Sequence, residues 1–201
     1  MKQNIYKITV KNKIIEIFEI VFDKETDNEL IKKIRNFAET SAQSTFRRSG
    51  MADKEHIKNI EIGKRAEEAF NFLAQSLGEN VGEVIYANSI DEYDFILKNK
   101  YKIDIKSSTM KTKQNNYNLT EALGRFNFTV LEDQKHQDLI IQALYPSRDK
   151  YDRYYFTFYE FVNYVQKNGK KTYLKMNGNS GYYSLQPLIK GKPIIDIFKI
   201  N

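Results

Sequence analysis

Cysteine and tryptophan are absent from this 201-residue chain, and only two histidines occur, His56 and His136. No disulfide and no thiolate metal site can form, and two imidazoles argue against a structural zinc centre. With three prolines and nine glycines there is no low-complexity linker, and no internal repeat is found. Long apolar runs are missing too. No stretch approaches the roughly 18 residues needed to cross a bilayer, and the first residues lack a signal-like apolar segment, so a cytoplasmic protein with no membrane partner is expected. What remains is a chain with 41% hydrophobic residues, apolar enough for one packed domain and too apolar for global disorder. Lys plus Arg outnumber Asp plus Glu by 32 to 26, a net charge of +6 that suits a polyanionic partner.

The most informative stretch is Asp94 to Lys106. It reads as two strands, Asp94 to Leu97 and Tyr101 to Lys106, joined by a polar turn at Lys98-Asn99-Lys100. Side chains alternate along a strand, so Tyr101, Ile103 and Ile105 share one face while Lys102, Asp104 and Lys106 share the other. Pairing the strands brings Asp94 towards the same place, because neighbouring strands lie only about 5 Å apart. Two carboxylates so close repel unless a cation lies between them, and Mg²⁺ binds through one or two carboxylates while keeping several waters. A lysine beside such water can orient it or take its proton. The grouping suits metal-assisted hydrolysis of a phosphodiester.

At these residues the sequence resembles the PD-(D/E)xK nuclease superfamily, most closely its type II restriction endonucleases. The pattern is Asp94, nine intervening residues, then Asp104-Ile105-Lys106, with Tyr93 standing where a proline often precedes the first acid. The resemblance implies an α/β fold, a mixed α+β sheet built on a restriction-endonuclease-like αβββαβ core. It also implies a Mg²⁺ cofactor held by Asp94, Asp104 and the Ile105 carbonyl, and Lys106 acting on the attacking water. The family commonly carries a glutamate on the helix before the hairpin. Within Gly63-Lys64-Arg65-Ala66-Glu67, Glu67 takes that role in preference to Glu68, as a ligand of a second metal or of its waters; a structural pairing of Glu67 with Lys64 is the plainer reading. Double-stranded DNA is the implied substrate and a homodimer the expected assembly, since a two-fold enzyme matches a palindromic site. A Holliday-junction resolvase or repair nuclease, an RNA-directed nuclease, and a non-catalytic nucleic-acid-binding protein are the competing readings.

The rest of the chain is expected to surround that core as one nuclease domain over 1–201: an N-terminal hairpin and helix over 1–52, the core over 53–145 and a C-terminal β/α addition over 146–201. Strands are predicted at Ile5 to Val10 and Lys13 to Phe22, and a helix from Asp27 to about Thr40. A polar loop should follow over Ser41 to Gly50, in which Arg47 and Arg48 can grip phosphates. A long helix is predicted from Asp53 to Leu77 with Gly78 as its stop, its stripe running through Ile60, Gly63, Glu67, Phe70, Ala74 and Leu77. Further strands are expected at Val81 to Ala87, Phe126 to Leu131, Asp138 to Tyr145, Arg153 to Phe158, Tyr182 to Leu185 and, at an edge, Pro193 to Ile200. Leu119 to Arg125 and Tyr159 to Gln166 read as helices, and Lys167 to Lys175 as a basic turn. The segment after Lys106 is rich in hydroxyls, amides and lysines, and Ser107, Ser108, Lys111, Lys113, Gln114 and Asn115 are its candidate DNA contacts. The tyrosines and phenylalanines between Tyr151 and Tyr164 are assigned to core and interface, not to base stacking.

Overall fold

The structure, a computed structural model, describes residues 1–49, 53–86, 93–111, 116–132, 136–173, 181–185 and 187–200, and the side chains of all of these except 43–49, 53 and 173. The first hairpin forms as expected. Strands β1 (Lys2–Val10) and β2 (Lys13–Val21) pair antiparallel, and Lys11 and Asn12 take up the turn at φ 47° and 64°, the left-handed pair that suits two twisted strands. Helices α1 (Asn28–Ser49) and α2 (Asp53–Ser76) follow, then a second hairpin of β3 (Phe95–Leu97) and β4 (Tyr101–Thr109). After α3 (Leu119–Arg125) come β5 (Phe128–Leu131), β6 (Leu139–Tyr145), β7 (Arg153–Phe161) and α4 (Val162–Asn168). The short strands β8 (Lys170–Tyr173), β9 (Gly181–Leu185) and β10 (Lys192–Pro193) complete the order.

The main sheet runs β1-β2-β7-β6-β4-β3, with β10 paired to the far end of β7. It is mixed, because β4 and β6 are parallel while its other neighbours are antiparallel. A parallel pair needs a long crossover, and α3 and β5 lie within it. All seven residues of β6 are buried, as befits a strand near the middle of a covered sheet. One face of the sheet, with Ile20, Ile103, Ile105, Ile141 and Phe156, packs on Ile62, Ala66, Ala69, Phe70 and Leu73 of α2. The other face, with Ile17, Ile140, Leu144 and Phe158, packs on α3, α4 and a small second sheet, β5-β9-β8.

Several expectations need correction. Helix α1 does not stop at Thr40 but continues to Ser49, so the arginine pair lies in its last turns and not in a loop. No proline or glycine interrupts 41–49 to end it sooner. Residues 81–86 form no strand: Gly82 has φ 92°, outside extended geometry, and Val81 and Val84 reach the core from an irregular segment. Phe128–Leu131 is a strand but belongs to the second sheet. β7 carries on through Phe161 before α4 begins, and the supposed basic turn contains β8. The tail is not an edge strand. Ile194–Lys199 coils as a 3₁₀ helix that buries Ile194, Ile197 and Phe198, a spacing of three then one that fits a helix and not a strand. The buried stripe of α2 is also turned from the predicted one. Ala66 and Ala69 face the sheet, their small side chains allowing close approach, while Ile60 and Gly63 are only partly buried.

Candidate active site

Three features of the second hairpin aim its polar residues. Its turn takes positive φ at Lys98 (53°) and Asn99 (54°), and the Lys100 N–H donates to the Leu97 carbonyl at 3.1 Å. Phe95, Leu97 and Ile103 are buried against the α2 side, which sends Asp104 and Lys106 to the opposite face. The register Phe95 opposite Ile103 then brings Asp94 level with Asp104. There the ladder departs from regularity. The Asp94 N–H donates to the Ile103 carbonyl at 2.8 Å, and Asp94 Oδ2 accepts the Ile105 N–H at 2.6 Å. A side-chain carboxylate thus replaces the backbone acceptor that a longer β3 would have offered. Strand geometry turns the Ile105 carbonyl to this same side.

Asp104 is only 6% exposed, and Lys106 caps it, its Nζ 3.0 Å from Oδ1 and 2.8 Å from Oδ2. The first contact is a hydrogen bond. The second is an ion-pair approach without hydrogen-bond alignment, so Oδ2 is a buried acceptor that no donor satisfies. Such an atom is costly to keep without positive charge beside it, and the Lys106 ammonium supplies that charge. The Lys106 side chain is itself 41% exposed, so the site opens to solvent along it. Behind Lys106, the buried Gln142 of β6 donates through Nε2 to the Lys106 carbonyl at 2.7 Å and to Ser108 Oγ at 3.0 Å, fixing this part of β4. Burial, and then the charge of Asp104, push the Asp94 carboxyl up to about 6. The Ile105 N–H, Lys64 and Lys106 oppose that rise without cancelling it.

Glu67 and Glu68 project from α2. Glu67 is buried, and Lys64 Nζ stands 2.6 Å from its Oε2. Glu68 accepts from the Tyr86 hydroxyl at 2.6 Å, and burial and that bond hold the phenol far above its ordinary range. Helix α2 packs on the sheet face that carries Ile103 and Ile105. Among the described residues, no three His, Asp or Glu side chains gather as a group able to hold a metal ion. The hairpin itself offers two carboxylates and a carbonyl, one carboxylate oxygen being unsatisfied. Oxygen donors in that number fit a hard cation that keeps part of its water shell.

The candidate DNA contacts are dispersed. Ser107 and Ser108 lie within β4 and point to opposite faces, Ser108 being engaged by Gln142. Lys111 is exposed just past the strand, paired through its backbone with Asn116. Lys113, Gln114 and Asn115, and the side chains of Arg47 and Arg48, lie outside the described residues. A groove of about 680 Å³ that sequence reasoning missed joins Thr109 and Lys111 to Lys54 and Lys58 of α2 and to Arg148. These cations are far apart in the chain and no motif links them. Part of the groove's charge is internally balanced, with Arg148 3.1 Å from Glu55 and Lys58 3.1 Å from Asp149. Gln142 was also missed, although a lone amide within Leu139-Ile140-Ile141-Gln142-Ala143-Leu144 was a legible signal.

Comparison of the chain with protein-family models, with curated proteins and with solved structures gives no match.

Proposed function

We propose that this chain is a Mg²⁺-dependent endonuclease that hydrolyses phosphodiester bonds of double-stranded DNA, built on a restriction-endonuclease-like core and sequence-specific in the manner of type II restriction enzymes. One observation carries the reading: Asp94, Asp104 and Lys106 converge at the β3–β4 hairpin, with Asp104 buried and the Lys106 ammonium 3.0 and 2.8 Å from its two oxygens. A purely structural hairpin has no use for a buried acid and a half-buried one held level with each other, the second with its carboxyl pushed up to about 6.

Asp94 and Asp104, with the Ile105 carbonyl beside them, are the residues that hold the ion. Mg²⁺, when bound, supplies positive charge to the phosphoryl oxygens and favours ionisation of a nearby water. Lys106 donates to Asp104 Oδ1 at 3.0 Å. The ammonium of Lys106, whose side chain is 41% exposed beside Asp104, is the group that would orient the attacking water and offset charge developing at phosphorus. Gln142 holds the Lys106 backbone in place through its carbonyl. The groove beside Lys54, Lys58 and Lys111 offers the flanking duplex a basic path. Attack breaks the P–O3′ bond, leaving a 5′-phosphate and a 3′-hydroxyl.

A substrate panel tests the assignment. Plain duplex, a four-way junction, single-stranded DNA and RNA are offered to the protein with Mg²⁺ or with EDTA. Discrete duplex fragments that require Mg²⁺ are expected. Preference for the four-way junction instead assigns the same residues to a resolvase and overturns the restriction reading. Binding without cleavage of any of the four overturns the enzyme.

A further inference from the structure

A cavity of about 940 Å³ lies between α1 and α2, and neither Asp94 nor Asp104 lines it. Arg35, Glu39 and Ala42 of α1 reach it, as do Lys54, Lys58, Glu61 and Arg65 of α2, at steps of three and four residues that put each set on one helix face. Among the described residues that line it, cations therefore outnumber acids by four to two, and both acids are engaged. Glu39 pairs with Arg35 at 3.2 Å, while Glu61 accepts from Arg65 Nη2 at 2.6 Å and from the Tyr151 hydroxyl at 3.2 Å. The Arg65 side chain is nine-tenths buried, and its guanidinium stands 5.5 and 4.9 Å from the ring centroids of Phe22 and Tyr151. Two rings and a carboxylate hold it in one orientation. Its Nε finds no acceptor in the chain, so Glu61 leaves part of the fork unused.

We propose that this cavity binds the phosphate ester of a nucleotide, with Arg65 and Arg35 on the phosphate and Ile31, Ala42 and Ile57 against the rest of the ligand. Its volume falls within the range of about 300–1,000 Å³ typical of small-ligand sites. A fixed guanidinium recognises the planar edge of a phosphate, which a patch of lysines alone attracts without orienting. The three apolar residues give the remainder of a nucleotide a surface that a bare inorganic anion would leave unused. Lys54 and Lys58 also line the groove beside Lys111, so the two hollows share a wall. A free nucleotide and the terminal nucleotide of a strand lying in that groove present the same chemistry to the site. The proposal does not depend on the nuclease reading, because no residue of the β3–β4 hairpin takes part.

Isothermal titration calorimetry in EDTA, which keeps strand cleavage out of the measurement, tests the proposal. The probes are deoxyadenosine 5′-monophosphate, deoxyadenosine, and one short single strand with and without a 5′-phosphate. Wild type is expected to bind one phosphorylated probe per chain, and each unphosphorylated counterpart at least about tenfold more weakly. Arg65→Lys keeps a charge beside Glu61 but loses the fork, and should weaken the phosphorylated probe by about tenfold or more. If that variant does not fold, Arg35→Gln at the exposed rim takes its place, with a loss of about threefold or more expected. Tight binding of the mononucleotide assigns the site to a free nucleotide; binding of the 5′-phosphorylated strand alone assigns it to a strand end. Four results each overturn the proposal: no binding of either phosphorylated probe, equal binding of the unphosphorylated ones, wild-type affinity in the folded arginine variant, or a loss confined to Lys111→Ala, which places the ligand in the groove.

Discussion

The carboxyl of Asp94 holds its proton up to about pH 6 in the metal-free protein, because burial and the neighbouring Asp104 both oppose its charge. Since the ordinary value is 3.8, the folded chain binds this proton more tightly than the unfolded chain does. The residue's contribution to stability is therefore fully present below about pH 4 and is lost as pH rises through 6. The rise from 3.8 to about 6 corresponds to roughly 3 kcal/mol. Asp94→Asn, which keeps an acceptor for the Ile105 N–H, should stabilise the metal-free protein by about 2–3 kcal/mol at pH 7.5 and by little at pH 4, as read from urea unfolding at the two pH values. Added Mg²⁺ should stabilise wild type and leave the variant unchanged, which separates relief of repulsion from a general packing effect. On the proposed nuclease reading cleavage needs the ionised form, so its rate should climb through about pH 6, and a higher Mg²⁺ concentration should move that midpoint down. A rate flat between pH 5 and 8 contradicts this role for Asp94.

The β3–β4 hairpin and helix α2 carry the site, and their stability has separable sources. Phe70 of α2 is fully buried where rings from β3, β7 and the C-terminal 3₁₀ helix meet, with centroids of Phe95, Phe156 and Phe198 at 5.5, 5.9 and 6.3 Å. Phe70→Ala should cost about 3–5 kcal/mol in chemical unfolding. At the hairpin turn, Lys98 is a side-chain-bearing residue at φ 53°, and its Nζ contact with the Ile200 carbonyl at 2.9 Å is exposed. Lys98→Gly relieves the left-handed strain and should be neutral to about 1 kcal/mol stabilising; a loss above 1 kcal/mol would give the Ile200 contact a larger part. Elements whose pattern is local were legible in the sequence. Both hairpins, α2 and the apolar β6 follow from alternation, helical spacing and turn residues, and the convergence of Asp94, Asp104 and Lys106 follows from one hairpin register. What was not legible depends on partners distant in the chain. The pattern over Val81 to Ala87 looks extended, but Gly82 turns it aside. Phe128–Leu131 looks like a core strand, but its hydrogen bonds go to β9. The burial of Glu61, Arg65, Glu67 and Asn71 follows from α2 lying between the sheet and α1, which no single-stripe reading of one helix reveals.

For the whole molecule, a net charge of +6 matters only where it is concentrated. The groove from Lys111 to Lys54 and Lys58 lies beyond the β3–β4 hairpin along β4, about 17 Å from Asp104 to Thr109 at strand rise. Along α2 the separation of Lys64 from Lys54 is about 15 Å at helical rise, so strand and helix lead from the site to the groove over matching lengths. Duplex affinity should fall steeply with salt, and Lys111→Ala should lower the slope of log Kd against log salt by about one without altering cleavage of bound DNA. An unchanged slope removes Lys111 from the interface. The mixed sheet with helices on both faces supplies the rigidity the site requires, and among the described residues no helix is long and apolar enough to cross a membrane. The central claim is that Asp104 and Lys106 act together on a phosphodiester with Mg²⁺, and it is tested most directly by single-turnover cleavage of one labelled duplex by wild type, Asp104→Asn and Lys106→Met. The account predicts Mg²⁺-dependent cleavage by wild type, none by Asp104→Asn and at least about a 100-fold slower rate for Lys106→Met, with duplex binding retained in all three. Wild-type rates in either variant, or no cleavage by folded wild-type protein, would contradict it.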